Sequence, residues 1–449
     1  MDAEVDFAIV GSGLAGLTAA HTLAAAGAKV RILEARDRIG GRTYARAAGN
    51  GVFDLGGQYV GHGQTRIAKL AAEHGMTLSP TPHSGTKWLE LGGRRRTYGG
   101  NIPPLSPLSL IQLQLAIASL DRAARRIPYG EPWNAASAAR WDAHTLESWW
   151  RRLPLTRPVR NLLRLTVRMT FGAEADEMSL LSLLQYAGAH GGLAYLMAIE
   201  KGSQERYFAE GAGELAKRLA APLLDRTVLS APVRRIAHDG RGVVVESDAG
   251  ACRARRVIVA IPPLLAGRIA YEPALPLERT ALTQRFPMGA AVKVLALYER
   301  PFWRERGYSG EVVSERGALG IVFDTTKGEG RQPALVGFIE GFAARTWSSR
   351  SADERRKTVL AELAGYFGPE AESPIELIEQ DWTAEPWTGG CSSGFAPPGV
   401  LSRYGHTLRA PIGRIHWAGS ETAREFFGAM EGAVESGERA AAEALSAEG

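Results

Sequence analysis

A glycine-rich turn between a strand and a helix constrains the fold of this 449-residue chain more than any other stretch. Residues 6–10, DFAIV, have the apolar run of a short buried strand, and GSGLAG follows at once. The helical run LTAAHTLAAAG and a second strand, KVRILEA, complete a βαβ unit. Glu34 lies near the end of that strand, about 20 residues after the turn, the spacing that a dinucleotide site requires. The sequence therefore predicts a Rossmann-like nucleotide domain, and a plain βαβ turn is the alternative.

The three glycines of the turn have separate physical tasks. Gly11 permits the tight turn, Gly13 lets a pyrophosphate approach the backbone, and Gly16 lets the helix pack on the strand. The N-terminus of the helix offers free N–H groups to phosphate oxygens. Glu34 can accept hydrogen bonds from the ribose hydroxyls, which disfavours a cofactor with a 2′-phosphate.

The residues just downstream distinguish NAD from FAD. The stretch RDRIGGRTYAR follows the acidic residue and contains Gly40, Gly41, Arg42 and Thr43. FDLGGQYVG then adds a second glycine pair. Together these stretches resemble the FAD-binding amine oxidase superfamily, in which glycines and an arginine extend the cradle for the dinucleotide. An NAD dehydrogenase has no use for this extension.

Two later segments have the pattern of further pieces of the same domain. Residues 229–263 are consistent with strands joined at a DGRG turn, and the run VIVAIPP ends in a proline pair that must leave the sheet. Residues 414–445 contain a strand, a loop and a long helix that begins near Gly428. The stretch GSETAREFFGAMEGAVESGERAA is similar to the closing FAD motif of the flavin-containing monoamine oxidases. A helix N-terminus beside the flavin would stabilise negative charge on the reduced ring.

The resemblance covers nearly the whole chain, including residues 202–215, 291–303 and 386–399. It implies an α/β fold with a Rossmann-like FAD-binding domain assembled from three chain segments: 1–80, 208–290 and 386–449. An interleaved α+β substrate domain would comprise residues 81–207 and 291–385. The resemblance also implies contacts with FAD from further residues spread along the chain: Arg36, Gly57, Val233, Trp382, Gly419, Ser420 and Met430.

Lys293 interrupts the apolar strand pattern GAAVKVLAL. An edge-strand lysine that extends to water is the alternative to a functional one. The chain uses arginine almost everywhere else, with Lys and Arg numbering 53 together. The resemblance implies that Lys293 is catalytic and holds a water molecule against flavin N5.

The reaction implied by the resemblance is oxidation of an amine to its imine. Two electrons pass to FAD and then to O₂, which gives hydrogen peroxide, and the imine hydrolyses off the protein. The amine must react in its neutral form, and apolar walls favour that form by penalising the ammonium ion. A dedicated catalytic base is then not obligatory, and the nine histidines show no metal-ligand spacing.

Cys391 lies in the loop PWTGGCSSGFAPPG (386–399). In the membrane-bound members of the family, the cysteine of the GGC motif carries the flavin as a thioether at its 8α-methyl group. Cys391 occupies that place, so the resemblance implies covalent FAD. A free loop thiol beside a non-covalent flavin is the alternative.

The chain departs from the family at two positions in front of the flavin. Relatives commonly hold the substrate amine between two aromatic rings, and this sequence has Ser392 and Ala429 at those places. We therefore expect an open pocket and a bulkier or differently oriented amine than benzylamine or phenethylamine. Other pocket residues, by position against the family, are Met169, Met197, Gln204 and Ile321. Three aromatic residues are candidates to replace the missing walls in part: Trp382, Phe426 and Phe427.

Three other readings stay open. An L-amino-acid oxidase would need a pocket cation for the carboxylate, for which Arg164 and Arg168 are candidates. A dehydrogenase of C–C bonds would act on a hydrophobic substrate, which usually requires a membrane. A flavin-bearing scaffold without turnover would not need Lys293.

Composition restricts the partners and the compartment. A net charge of +5, without aromatic residues among the arginine clusters, argues against nucleic-acid binding. Two cysteines cannot form a disulfide framework, so we expect a reducing, cytoplasmic setting. The start MDAEVD predicts no signal peptide, and the uncharged stretch 179–199 is a better candidate for a buried helix and turn than for a membrane span. We expect a soluble, bacterial-type family member, with a homodimer implied by the resemblance alone.

Overall fold

The computed structural model describes residues 4–328 and 331–447. Residues 1–3 belong to the start from which no signal peptide was predicted, and they lie outside these ranges. Residues 448–449 lie outside them as well. The strands are β1 Glu4–Val10, β2 Val30–Leu33, β3 Ala45–Ala48, β4 Gly51–Asp54, β5 Tyr59–Val60, β6 Leu78–Pro80, β7 Thr86–Leu91, β8 Arg94–Tyr98, β9 Arg206–Phe208, β10 Thr227–Val228, β11 Val233–His238, β12 Val243–Ser247, β13 Gly250–Val259, β14 Ala270–Glu272, β15 Ala291–Leu297, β16 Tyr308–Ser314, β17 Ile321–Asp324, β18 Ala334–Glu340, β19 Glu376–Asp381 and β20 Ile415–Trp417. The α-helices are α1 Leu14–Ala25, α2 Thr65–Glu73, α3 Pro107–Ala124, α4 Ala138–Asp142, α5 Leu146–Trp150, α6 Arg157–Phe171, α7 Leu180–Ala189, α8 Leu193–Leu196, α9 Ala212–Ala220, α10 Pro263–Ala266, α11 Leu277–Gln284, α12 Phe302–Glu305, α13 Phe342–Trp347, α14 Ala352–Phe367, α15 Leu401–Tyr404 and α16 Met430–Ser446.

The first sheet contains the predicted βαβ unit. Its strand order is β10-β2-β1-β13-β12-β11-β14, and β20 also pairs with β13. β1 pairs in parallel with β2 and with β13, and α1 crosses from β1 to β2 as a parallel connection requires. Small residues let α16 approach α1 closely, since a Cβ on Gly437 would lie 2.4 Å from the Ala15 carbonyl oxygen.

The second sheet has the order β19-β15-β18-β17-β16-β7-β8. β15 lies inside it, antiparallel to β18 on one side and to β19 on the other, and all seven of its residues are buried. The edge-strand alternative for Lys293 is therefore wrong, because β15 has a hydrogen-bonded neighbour on each side.

The two sheets draw on different parts of the chain. Strands of the first come from residues 4–33, 227–272 and 415–417, and strands of the second come from residues 86–98 and 291–381. The α/β class is confirmed. The division into an FAD domain and a substrate domain at the stated boundaries stays a prediction.

A layer of helices from the middle of the chain packs beside the second sheet. Helices α3 to α7 share one hydrophobic core with Leu89 of β7 and Phe427 of the closing segment. Within residues 4–328 and 331–447, no helix is both long and apolar enough to cross a membrane.

Candidate active site

A cavity of about 750 Å³ extends from the glycine-rich turn to the helices of the middle segment. Volumes of this size are typical of sites for cofactors and small molecules. Most residues predicted for the cofactor line it: Gly11, Gly13, Glu34, Arg36, Gly40, Gly41, Arg42, Thr43, Gly57, Val233, Cys391, Gly419, Ser420 and Met430. All six predicted pocket residues line it too: Met169, Met197, Gln204, Ile321, Ser392 and Ala429.

The three glycines of the turn meet different surroundings. Gly11 has a φ of +99°, and a Cβ there would lie 2.8 Å from Ile261 Cγ2. A Cβ on Gly16 would lie 2.0 Å from the Gly11 carbonyl oxygen, so this glycine packs helix on strand and lies behind the cavity wall. A Cβ on Gly13 would meet no protein atom within 4 Å. The open side of Gly13 faces the cavity, which is where a ligand would approach the backbone.

Glu34 is buried and held in place by its own neighbours. Its Oε2 accepts hydrogen bonds from the Ser12 amide at 2.7 Å and from Ser12 Oγ at 2.8 Å. Its Oε1 accepts from the Arg36 amide at 3.0 Å. These bonds fix the carboxylate at the cavity wall, where its remaining lone pairs can meet ribose hydroxyls.

Two helix N-termini point at the same cavity without a side-chain cap. α1 is preceded by Gly13 and α16 by Ala429, and neither residue caps its helix through a side chain. An uncapped helix start offers unpaired N–H groups and partial positive charge. One start would suit a diphosphate and the other an electron-rich ring, so the residues present fit FAD.

Arg42 connects three segments at the centre of the site. Its guanidinium donates to both carboxylate oxygens of Glu421, at 2.6 and 2.9 Å, and to Ser420 Oγ at 3.1 Å. It also donates to the Ser392 carbonyl at 2.7 Å. Burial raises the pKa of Glu421, but the charge and hydrogen bonds of Arg42 outweigh burial and lower the pKa below its ordinary value.

The Cys391 loop lies against the strand that carries Lys293. The Cys391 amide donates to the Gly289 carbonyl at 2.8 Å, and the Cys391–Ser392 peptide bond is cis. Burial raises the pKa of the Cys391 thiol to about 11. Ser392 Oγ donates to the Thr170 carbonyl at 3.2 Å.

Lys293 lies just behind the cavity wall. Its Nζ donates to the Gly56 carbonyl at 3.0 Å and to Gln58 Oε1, and the side chain is 3 % exposed. Gln58, which accepts the second of these hydrogen bonds, and the adjacent Gly57 both line the cavity, whereas Lys293 itself does not. Burial lowers the pKa of Lys293 to about 8.

The aromatic residues expected to replace the missing walls lie elsewhere. Trp382 donates to the Leu55 carbonyl at 2.7 Å, and its ring backs Gly56 rather than the cavity. Phe427 packs into the core of the middle helices, and Phe426 contacts the rings of His190 and Tyr195. None of these three residues therefore replaces a missing aromatic wall on the cavity surface.

Two other aromatic residues, which were not predicted from the sequence, do line the cavity. Tyr186 and His190 are stacked with ring centroids 4.0 Å apart, and both belong to the cavity wall. Burial lowers the pKa of His190 to about 4, so its ring is neutral near pH 7. Tyr186 and His190 are four residues apart on α7 and its C-terminal turn, and this spacing places both rings on one face of the helix. That spacing could have indicated the pair from the sequence.

The cavity wall also contains charged residues that were not predicted from the sequence. Lys87 on β7 and Glu311 on β16 form an ion pair at 2.8 Å, and Glu340 ends β18. The two candidates for binding a substrate carboxylate are already engaged, since Arg164 donates to Glu147 and Arg168 donates to Glu174. Both lie away from the cavity wall.

Fold and site together define a dinucleotide-dependent enzyme with a deep, largely apolar substrate cavity. No group of three or more metal-ligating side chains occurs in the described part of the chain. Residues 14–445 match the family model for flavin containing amine oxidoreductases.

Individual proteins agree with that match. The chain is 36% identical to the flavin-containing amine oxidase B of Sus scrofa over 455 residues, covering 100% of this chain and 88% of that protein. A structure of cyclohexylamine oxidase from Brevibacterium oxydans superposes with a TM-score of 0.95 at 34% identity, covering 100% of both chains. A structure of putrescine oxidase bound to putrescine gives 0.94 at 33% identity, covering 99% of both. The chain therefore belongs to the flavin-containing amine oxidase family, and it is an FAD-dependent amine oxidase.

Proposed function

We propose that this enzyme oxidises a bulky or unusually oriented amine, with O₂ as the electron acceptor. When bound, FAD would supply the two-electron acceptor for oxidation of the carbon next to the nitrogen, with O₂ as the final acceptor. The observation that carries the proposal is the pair of small side chains, Ser392 and Ala429, that line the cavity where relatives commonly have two aromatic rings. Cyclohexylamine oxidase and putrescine oxidase are structural neighbours, so proteins of this fold include enzymes named for amines that have no aromatic ring.

Binding of FAD is assigned to the residues around the two uncapped helix starts. Gly11 and Gly13 would admit the diphosphate at α1, and Glu34 would hold the ribose. Met430 and Ser420 would meet the flavin end at α16.

Lys293 is assigned to hold a water molecule at the reactive face of the flavin. Support comes from its hydrogen bond to Gln58, which lines the cavity together with Gly57. With a pKa of about 8, lowered by burial, Lys293 exists in both protonation states near neutral pH.

A neutral amine is favoured over an α-amino acid by the charges of the cavity. An amino-acid substrate needs an unpaired cation for its carboxylate, and Arg164 and Arg168 are each bound to a glutamate. Lys87 lines the cavity, but Glu311 already neutralises it.

Covalent attachment of FAD through Cys391 is the second part of the proposal. The thiol lines the cavity within the loop that Arg42 fixes through the Ser392 carbonyl. A thioether between Cys391 Sγ and the 8α-methyl carbon of bound FAD would form with loss of the thiol proton, one methyl proton and two electrons, which O₂ would take up as hydrogen peroxide.

An anaerobic absorbance titration of the purified holoenzyme tests the substrate class. The panel contains linear amines, bulky cyclic amines, α-amino acids and an apolar donor with a saturated C–C bond. Bleaching of the flavin by amines, strongest for the bulky ones, is expected. Bleaching by amino acids alone would move the assignment to an amino-acid oxidase, and bleaching only by the C–C donor would move it to a dehydrogenase.

A further inference from the structure

His190 is a buried residue of the cavity wall that the proposed mechanism does not use. It follows α7, is 4% exposed and lines the cavity. Its Nδ1 lies 2.8 Å from the Tyr186 carbonyl oxygen, and because a carbonyl can only accept, Nδ1 carries the ring proton. Burial lowers the pKa of His190 to about 4, so near pH 7 the ring is neutral and Nε2 keeps a lone pair. No hydrogen bond from residues 4–328 and 331–447 reaches Nε2, and protein atoms do not fully enclose it.

The imidazole ring of His190 is held in one orientation. It stacks on the ring of Tyr186 with centroids 4.0 Å apart and planes inclined by 22°, and Tyr186 in turn contacts the ring of Phe171 at 4.6 Å. The ring of Phe426 meets His190 edge to face at 5.5 Å. Aromatic contacts of this kind are favourable, and the Nδ1 hydrogen bond adds to them. The direction of Nε2 is therefore fixed before any ligand binds.

The stacked pair of Tyr186 and its neighbour on α7 lies beside the start of α16. The Phe426 amide donates to the Ala189 carbonyl at 2.9 Å, which joins the end of α7 to the segment before α16. A Cβ on Gly428 would lie 3.6 Å from Tyr186 Cε2. Ala429 comes next and lines the cavity, at the position where relatives commonly have an aromatic ring. With only a methyl group there, both rings of the stacked pair line the cavity.

A fixed acceptor beside this position suits a neutral amine. A polar atom that is buried without a partner costs stability, so a ligand that donates to Nε2 gains affinity. A neutral primary amine has two N–H groups and one lone pair. A hydrogen bond to Nε2 uses an N–H and leaves the lone pair free to enter the C=N bond of the imine. A donor at the same place would hold the lone pair instead.

We propose that His190 Nε2 accepts a hydrogen bond from the N–H of the reacting amine, so that the enzyme selects primary and secondary amines over tertiary amines. This inference rests on the proposed amine oxidation. The imidazole and the Tyr186 ring then take the place of the aromatic ring that Ala429 lacks. A neutral tertiary amine has no N–H and leaves Nε2 without a partner, and a site built around a hydrogen bond rejects a ligand that cannot form it.

Cyclohexylamine and its N-methyl and N,N-dimethyl derivatives test the inference on the wild-type holoenzyme. They share one ring and differ in the number of N–H groups. The second-order rate constant of anaerobic flavin reduction, with concentrations given as neutral amine, is expected to be at least fivefold lower for the tertiary amine than for the other two. Equal rate constants would overturn the inference. Hexylamine with the same two derivatives is a second series, and failure of every amine to reduce the flavin would instead overturn the proposed function.

Two variants of His190 separate the hydrogen bond from the size of the tertiary amine. His190→Phe keeps an aromatic ring of similar size without an acceptor, and His190→Leu removes the ring as well. In both, the ratio of the rate constants for the primary and the tertiary amine should fall at least threefold, because only the primary amine loses a hydrogen bond. A wild-type ratio in His190→Phe would overturn the inference, since the tertiary amine would then be rejected for its size. His190→Leu decides the question if His190→Phe does not fold.

His416 provides the matched control. It is buried as well, at 1% exposure, with Nδ1 2.7 Å from Glu443 Oε1. Its Nε2 also has no hydrogen-bond partner in the described part of the chain, but His416 lies away from the cavity wall. His416→Phe should keep the wild-type ratio of the two rate constants. A fall in this variant equal to that in His190→Phe would overturn the inference, because the ratio would then respond to any loss of a buried histidine.

Discussion

The ion pair between Arg42 and Glu421 should dominate the stability of the cofactor site. Glu421 is fully buried, and its carboxylate receives two hydrogen bonds from the guanidinium at 2.6 and 2.9 Å. Two weaker contacts remain without Arg42: Ser420 Oγ at 3.1 Å and the Gly394 amide at 3.4 Å. Arg42→Met therefore leaves a buried carboxylate with no cation bound to it.

Removing one partner of a buried ion pair costs about 3–5 kcal/mol, because the other charge stays buried without compensation. The entropy of unfolding is about 2.1 cal/mol/K per residue, so this loss lowers the melting temperature of a chain of this length by about 3–5 °C. Glu421→Gln together with Arg42→Met removes both charges and should recover at least about 2 kcal/mol of the loss.

The pH dependence should change sign between wild type and variant. In wild type the pKa of Glu421 is lowered, so the pair contributes stability above the ordinary carboxyl pKa and loses it as the pH falls through the folded-state pKa. Without Arg42, burial alone raises that pKa. The folded variant then binds more protons than the unfolded chain, and its stability should rise as the pH is lowered from 8 towards about 5.

Thermal unfolding followed by circular dichroism at saturating FAD measures both effects. Arg46→Met is the control, because Arg46 pairs with Glu376 at 2.9 Å but is 49% exposed, and exposed pairs contribute about 0–1 kcal/mol. Our reasoning would be refuted if Arg42→Met lowered the melting temperature no more than Arg46→Met. The reasoning would also be refuted if the double variant were as unstable as Arg42→Met alone. The lower melting temperature would then come from weaker FAD binding rather than from the unpaired charge of Glu421.

Three further changes test other parts of the site. Acid precipitation of wild type should give a yellow pellet and Cys391→Ala a colourless one; a colourless wild-type pellet would contradict the covalent bond. Ser392→Tyr with Ala429→Tyr should lower turnover of a bulky cyclic amine at least tenfold relative to benzylamine, and unchanged turnover would count against the open-pocket hypothesis. Burial lowers the pKa of Lys293 to about 8, so between pH 8 and about 10 the unfolded chain binds more protons, and wild-type stability should rise with pH more steeply than that of Lys293→Met in urea unfolding.

Local patterns account for what could be predicted from the sequence. The glycines of the turn, the apolar runs of β1 and β2 and the helix after Gly428 are each encoded in short stretches, so the nucleotide half of the fold followed from them. The loop around Cys391 could be placed at the cavity only through its resemblance to a known family. The resemblance placed Trp382 near the cofactor but did not show that its ring is outside the cavity wall, where it packs against Gly56.

Charges that meet through sheet register could not be predicted in the same way. Lys87 and Glu311 come from strands more than 200 residues apart, and only the parallel pairing of β7 with β16 brings them together. Glu340 follows an apolar run, ALVGFI, and a charged residue after such a run predicts the solvent-exposed end of a strand. Its position opposite Ala291 depends on a register that no local pattern specifies.

The two ends of the cavity differ in their charges, and this difference restricts what can bind at each end. Arg36 and Arg42 line the end with the glycine-rich turn, where the uncapped start of α1 adds partial positive charge. At the other end, Lys87 is neutralised by Glu311, and Glu340 contributes a carboxyl group. The partial positive charge at the start of α1 therefore favours an anionic dinucleotide at the first end. An α-amino acid would bring a carboxylate to the second end, where Lys87 is already paired with Glu311, so the charges there favour an amine over an amino acid.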